Sequence, residues 1–292
     1  MEAVLVFDSV DPRAASDRAL VLHSLDIPCE VVRVEGRTAL AVPAEFAERA
    51  RFEIWQYDQE NRQPRPRPRV TVHEYHNGLP GVFVYVLILC VAGWLAGRSA
   101  FGLDWLGRGR VDGELIRAGE WWRTLTAMTL HGGVGHLLGN IGFGALFGGL
   151  AGRLVGSGIA WLGIVLAGAA GNALNTLLLE SAHRSLGAST AVFAALGLLA
   201  GFVWRARLMA QDRWPYRLGP IVGGIALLAY TGTGDAETDI GAHLSGFACG
   251  FVAGGVLTFL AEHLGGARLQ AICGALAVAI VVVAWTAAFA GA

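Results

Sequence analysis

Charge is what this sequence lacks most against a soluble protein. Only 15% of its 292 residues are Asp, Glu, Lys or Arg, against roughly 25% in a soluble domain. That shortage excludes a chain whose whole surface faces water. A net charge of -1 supplies no strong field of either sign, so no nucleic-acid partner is expected. Cysteine is also scarce. Cys29, Cys90, Cys249 and Cys273 form no CxxC pair and no metal-ligand spacing, and all four read as reduced packing residues. No HExxH occurs, and the spacing of His131 and His136 is off the i,i+4 geometry of a helical metal site. No metal and no cofactor is therefore expected. A basic n-region is missing at the N-terminus, where Glu2 and Asp8 surround a short apolar run, so no secretory signal peptide is read there.

Apolar residues and glycine are what the chain has in excess. Hydrophobic residues make up 54%, there are 41 glycines, and the mean hydropathy is +0.51. Membrane helices tolerate glycine and pack closely through it, so the composition is that of an integral membrane protein.

Residues 1–62 are the exception and read as a small cytosolic α+β domain of order βαββα. Ala3–Phe7 is a short strand. Asp11-Pro12 starts a helix running to about Leu25, with Asp as N-cap and Pro at the first helical position. Cys29–Val34 and Arg37–Val42 form two strands around Glu35-Gly36. Pro43 opens a second helix with Phe46, Ala50, Ile54 and Tyr57 at helical spacing. No catalytic constellation occurs in this domain, which reads as a regulatory or structural module with a small core. Residues 63–79 are a linker beginning Gln-Pro-Arg-Pro-Arg-Pro-Arg, of extended polyproline type.

Seven apolar segments follow, at about 80–97, 130–151, 157–179, 187–204, 218–233, 240–261 and 270–290. Each approaches the roughly 20 residues that cross a bilayer. Arginines ahead of the first segment favour a cytoplasmic N-terminus. That orientation puts Arg205, Arg207, Arg213 and Arg217 inside and Asp235, Glu237 and Asp239 outside. The loop 98–129 falls outside yet carries five arginines, against the positive-inside rule. Its acids and its Trp105, Trp121 and Trp122 predict a folded element in the membrane interface.

Polar groups inside spans are costly and call for a reason. The second span opens with His131, His136 and Asn140; at about 100° per residue, His136 and Asn140 share a face and His131 is turned away from Asn140. The third holds Asn172 and Asn175, the fourth Ser189 and the sixth His243. Gly246 and Gly250 share the face of His243, and the fourth span offers Gly187, Ala191, Ala194 and Gly197. Two helices packed backbone to backbone bring an imidazole within reach of a hydroxyl, the requirement for an activated serine. A serine in a membrane helix can equally bond its own i−4 carbonyl, and a lone histidine can be a satisfied core group. Spacing by itself leaves packing and catalysis both open. It also leaves open a proton pathway through the histidines and asparagines, although the spans hold almost no carboxylates to relay protons.

Four motifs in order change that balance. Trp122-Arg123, the pattern His131-x4-His136-x3-Asn140, Gly187-Ala188-Ser189-Thr190 and Ala242-His243-x-x-Gly246 resemble those of the rhomboid family of intramembrane serine proteases, over residues of about 119–256. The N-terminal domain is similar to the cytosolic domain of some bacterial rhomboids, and the seventh span fits the six-plus-one form. The resemblance implies a six-helix catalytic core at 80–262, a seventh helix at 263–292, and a bacterial inner or plasma membrane location. It implies a dyad of Ser189 as nucleophile and His243 as general base. His136, Asn140 and the Ser189 backbone N–H would hold the oxyanion. Trp122, Arg123, His131, Gly187, Phe193 and Gly246 would be structural near the site. Phe193 stands where many members have tyrosine, and Thr190 where glycine is common. The implied partners are substrates with transmembrane segments and the lipid bilayer, with the active site opening to the outer face. The glycines and proline of the fifth span read as a gate or as ordinary packing. The competing expectation is a catalytically silent rhomboid-like protein that binds transmembrane helices; such relatives usually lack the serine or the histidine, and both are present here.

Overall fold

The computed structural model describes residues 3–61, 75, 77–178, 183–206, 222, 223, 226, 239–260 and 266–290. It is mostly helical and divides into two compact units, Met1–Pro68 and Arg69–Ala292. Most of the fifth expected span, most of the linker and the loops 207–217 and 234–238 lie outside the described residues.

In the first unit, strands β1 (Ala3–Ser9), β2 (Glu30–Val34) and β3 (Arg37–Pro43) form one antiparallel sheet in the order β1-β3-β2. Helices α1 (Pro12–Ser24) and α2 (Ala47–Glu60) complete the βαββα order. The Asp11 side chain accepts from the Arg13 N–H at 3.0 Å and caps α1, leaving Pro12 at a position that needs no donor. Glu35 and Gly36 both have positive φ, 49° and 81°. That conformation suits a two-residue hairpin, whose twist matches the flanking strands. Leu22, Leu40 and Ala50 are fully buried at the centre of this unit. The ion pair Arg18–Asp58 joins the two helices.

Among the described residues, the second unit contains six helices long and apolar enough to cross a membrane, so the chain is a multi-pass integral membrane protein. They are α3 (Leu79–Gly97), α7 (Val134–Val155), α8 (Ser157–Leu178), α9 (Ser189–Ala206), α10 (Ile240–Leu260) and α11 (Ala267–Ala290). Between α3 and α7 the loop is folded, as expected, into α4 (Trp105–Gly109), β4 (Val111–Asp112), α5 (Gly113–Arg117) and α6 (Arg123–Thr126). Arg123 holds this element together. Its buried guanidinium donates to the carbonyls of Gly107 at 2.8 Å and Arg110 at 3.0 Å and pairs with Glu120 at 2.6 Å. These carbonyls replace the water a buried cation would otherwise lose.

Helix α11 is fastened at both ends. Gln270 accepts from the Ile159 N–H at 3.1 Å and donates to the Val155 carbonyl at 3.0 Å, capping the turn between α7 and α8. Gly156 takes φ 85° in that turn. At the other end, the Trp285 indole N–H donates to the Thr129 hydroxyl at 3.1 Å, and its ring lies 4.8 Å from that of Trp105.

Candidate active site

Ser189 is the first residue of α9, and the chain reaches it through a short fastened segment. A two-residue strand β5 (Arg184–Ser185) pairs antiparallel with β4 of the folded loop between α3 and α7. The Arg184 guanidinium meets the Asp112 carboxylate at 3.0 Å. Burial pushes the Asp112 carboxyl up, but the Leu115 N–H and the Arg184 and Arg123 charges outweigh it and hold it below the usual range. Beyond β5, the Gly187 N–H donates to the Ala127 carbonyl at 3.0 Å and the Ala188 N–H to His131 Nε2 at 3.4 Å. The Ala188 carbonyl accepts from Val192 at 2.9 Å and opens α9. The Ser189 N–H is therefore among the first donors of the helix, which have no intrahelical partner and lie at the positive end of its dipole.

Gly187 is required here twice over. Its φ of 139° is one that side chains rarely adopt, and a Cβ would come within 2.7 Å of the His136 ring. Ser189 Oγ borders the same space. The absence of a side chain at Gly187 thus lets the His136 imidazole and the Ser189 hydroxyl share one small volume. The sequence reading put Gly187 and Ala191 on the surface facing the sixth span. Instead Gly187 meets His136 of α7, and Ala191 lies against Gly168 of α8.

The contact between α9 and α10 is made by two rows of glycine. A Cβ on Gly246, Gly250 or Gly254 would strike the carbonyl of Thr190, Ala194 or Leu198. A Cβ on Gly197 or Gly201 would strike the carbonyl of Phe247 or Phe251. The two backbones therefore touch along about three turns of α9, as the Gly246 and Gly250 spacing predicts. Gly171 of α8 enters the same crossing, against Gly246 and Thr190.

This crossing fixes where His243 lies. It occupies the first turn of α10, three residues before Gly246, and is buried. Its ring stacks on Phe193, with centroids 4.5 Å apart and planes 20° from parallel. Phe193 stands one helical turn after Ser189, and residues four apart share a helix face. The imidazole therefore covers the face of α9 that carries the hydroxyl. His243 Nδ1 has no hydrogen-bond partner among the described residues.

The α7 residues divide. Asn140 is buried and donates Nδ2 to the His136 carbonyl at 3.1 Å, while its own backbone carbonyl accepts from the Tyr85 hydroxyl at 2.7 Å. The amide nitrogen has a second N–H. His131 precedes α7, which starts at Val134. A helical-wheel argument therefore does not apply to it, and its ring stands edge-on to His136 at 5.1 Å. Trp122 packs on the apolar core and lies edge-on to Trp121 at 6.3 Å.

Asp239 is the residue that sequence reasoning missed. The sequence groups it with Asp235 and Glu237 ahead of the sixth span and gives it no role. Its side chain makes no hydrogen bond to the His243 ring, but it caps α10 and gathers three elements. It accepts from the Ala242 N–H at 2.9 Å, from Asn175 of α8 at 3.0 and 3.1 Å, and pairs with His183 at 2.7 Å. Burial pushes the Asp239 carboxyl up; the Ala242 N–H, His183 and the Ser185 hydroxyl outweigh it and hold it below the usual range. The available signal was an acid immediately ahead of an apolar helical run, the pattern of an N-cap.

A cavity of about 490 Å³ lies elsewhere, between α3, α8 and α11. Its wall is nearly all apolar and reaches Ala191 but includes none of Ser189, His243, His136 or Asn140.

Residues 118–259 match the family model of the Rhomboid domain. The chain is 38% identical over 91 residues to the rhomboid protease GluP of Bacillus subtilis (strain 168), which covers 31% of this chain and 18% of that protein. It is 33% identical over 173 residues to RHOMBOID-like protein 4 of Arabidopsis thaliana, covering 59% of this chain and 42% of that protein. Each match spans less than half of the relative's own length.

Proposed function

The chain carries a domain of the rhomboid family over residues 118–259, and on that premise we propose that it is an intramembrane serine endopeptidase working through a Ser189–His243 dyad. The observation that carries the reading is the pairing of α9 with α10. The helix bearing the hydroxyl and the helix bearing the imidazole touch through backbone, and the His243 ring lies on Phe193, one turn from Ser189.

In the proposed reaction, Ser189 Oγ attacks the scissile carbonyl while His243 takes its proton. The tetrahedral oxyanion is held by the Ser189 N–H with donors from His136 and Asn140. Such donors act on charge that appears only in the transition state, and loss of one costs about 10²–10³ in rate. The imidazolium then protonates the leaving amine, and a water activated by His243 releases the acyl group. Trp122, Arg123 and His131 support the outer element and the approach to Ser189.

The substrate is proposed to be a transmembrane segment of another protein, unwound at the cleaved bond because a helix hides its carbonyls in its own hydrogen bonds. The proposed setting is a bacterial inner or plasma membrane, with the N-terminus cytoplasmic and the site opening outward. Domain boundaries at 62, 79 and 262 belong to the same proposal.

Labelling with a serine-directed fluorophosphonate tests the dyad. Wild type is expected to label, and Ser189→Ala and His243→Ala are expected to lose labelling and cleavage while keeping their thermal stability. Full cleavage by purified Ser189→Ala ends the assignment. A folded wild type that never labels or cleaves indicates instead a silent helix-binding protein.

A further inference from the structure

We propose that Asp239 is a positioning residue for the dyad. Its carboxylate holds the segment leading to Ser189 against the first turn of the His243 helix, and its charge stabilises the imidazolium that His243 becomes. The inference rests on the serine-protease reading above.

Two observations carry it. The first is connectivity. The carboxylate is only 10% exposed, and its partners come from separate pieces of the chain. Ala242 belongs to α10, Asn175 to α8, and His183 to the segment that runs through β5 to Ser189. One side chain therefore sets the spacing between the approach to the nucleophile and the turn that carries the base. The second is charge. His243 lies one turn into the helix that Asp239 caps, and the Asp239 carbonyl accepts the His243 N–H at 3.2 Å. The capping carboxylate thus lies at the same end of α10 as the His243 ring, and a negative charge nearby in a poorly polarisable interior lowers the energy of a cation.

The other titratable groups around the site do not duplicate this role. His136 of α7 and His131 ahead of it carry no negative charge in either protonation state. The Asp112 carboxylate is paired with Arg184. His183 is the direct partner of Asp239, and its protonation offsets the field rather than replacing it.

The test uses full-length protein and the rate of fluorophosphonate labelling across pH. In that reaction the Ser189 Oγ–P bond forms, the P–F bond breaks, fluoride leaves, and the hydroxyl proton passes to His243. Asp239→Asn keeps the shape and an N-cap acceptor but removes the charge. The expected result is a labelling rate about tenfold lower, with its acidic limb moved to lower pH by about one unit, the same coupling read twice. Asp239→Ser, also a capping residue, is expected to move the limb in the same direction and covers the case in which the Asn variant does not fold. A rate that falls in both variants while the limb stays in place, or a profile identical to wild type, overturns the inference. If wild type does not label while a control serine hydrolase does, the dyad reading itself fails and takes the inference with it.

Discussion

At the scale of single residues, the proposed dyad depends on what stands behind each of its side chains. His243 is held by the face of Phe193. An aromatic pair is worth about 0.5–1.5 kcal/mol beyond its burial, so Phe193→Ala is expected to slow fluorophosphonate labelling by about threefold to tenfold, and Phe193→Tyr to leave it near wild type. A Phe193→Ala variant with an unchanged rate separates the stack from catalysis. Asn140 is the sharper case. Its amide nitrogen already donates to the His136 carbonyl, leaving one N–H for an oxyanion. Asn140→Ala is expected to reduce turnover of a transmembrane substrate by about 10² with KM little changed. An effect confined to KM removes Asn140 from the oxyanion role.

At the scale of elements, glycine decides whether the helices bearing Ser189 and His243 meet. Gly197 and Gly250 each lie directly under a carbonyl of the facing helix. Overpacking such a contact costs about 1–3 kcal/mol and moves α9 away from α10. Gly197→Val and Gly250→Val are expected to lower Tm in detergent by several degrees and to lose labelling. Gly255, on the same helix, has nothing within 4 Å of a Cβ, so Gly255→Ala is expected to leave Tm unchanged or slightly raised. Equal effects at Gly250 and Gly255 contradict the packing described. The glycine spacing was legible in the sequence because Gly246 and Gly250 follow His243 on one face. The partner row at Gly197 and Gly201, with its register against Phe247 and Phe251, was not. Register between two smooth helices follows from how far one slides along the other, which no single helix encodes.

At the scale of the whole molecule, the proposed orientation and the carboxylate network make separate predictions. A membrane-impermeant maleimide applied to intact cells is expected to label Glu114→Cys in the outer element and not Asp17→Cys in the N-terminal unit, on a background lacking the four native cysteines. The reverse pattern inverts the topology. Asp239 links α8, the β5 segment and α10, and its pKa is lowered by its partners. A lowered carboxyl contributes stability that is complete above its ordinary value near pH 4 and is lost as pH falls through the lowered value. Thermal melts in detergent are expected to show that loss in wild type and a weaker one in Asp239→Asn. Parallel acid profiles for the two proteins assign the loss to other groups.

The sequence by itself determined the six described spans to within a few residues, the βαββα order of the first unit, and the four motifs that carry the family resemblance. Each is a local signal: apolar length, turn residues such as Glu35-Gly36, or residues a few positions apart. Helix starts were less legible. Val134 begins α7 and Ser189 begins α9 because the residues just before them are held by other elements, His131 by the Ala188 N–H and Gly187 by the Ala127 carbonyl. The tertiary structure alone decided that Gly187 faces His136, that Phe193 lies under His243, and that Asp239 ties three elements together. Those facts are distances between groups as far as 64 residues apart in the chain, and they exist only once the spans have packed.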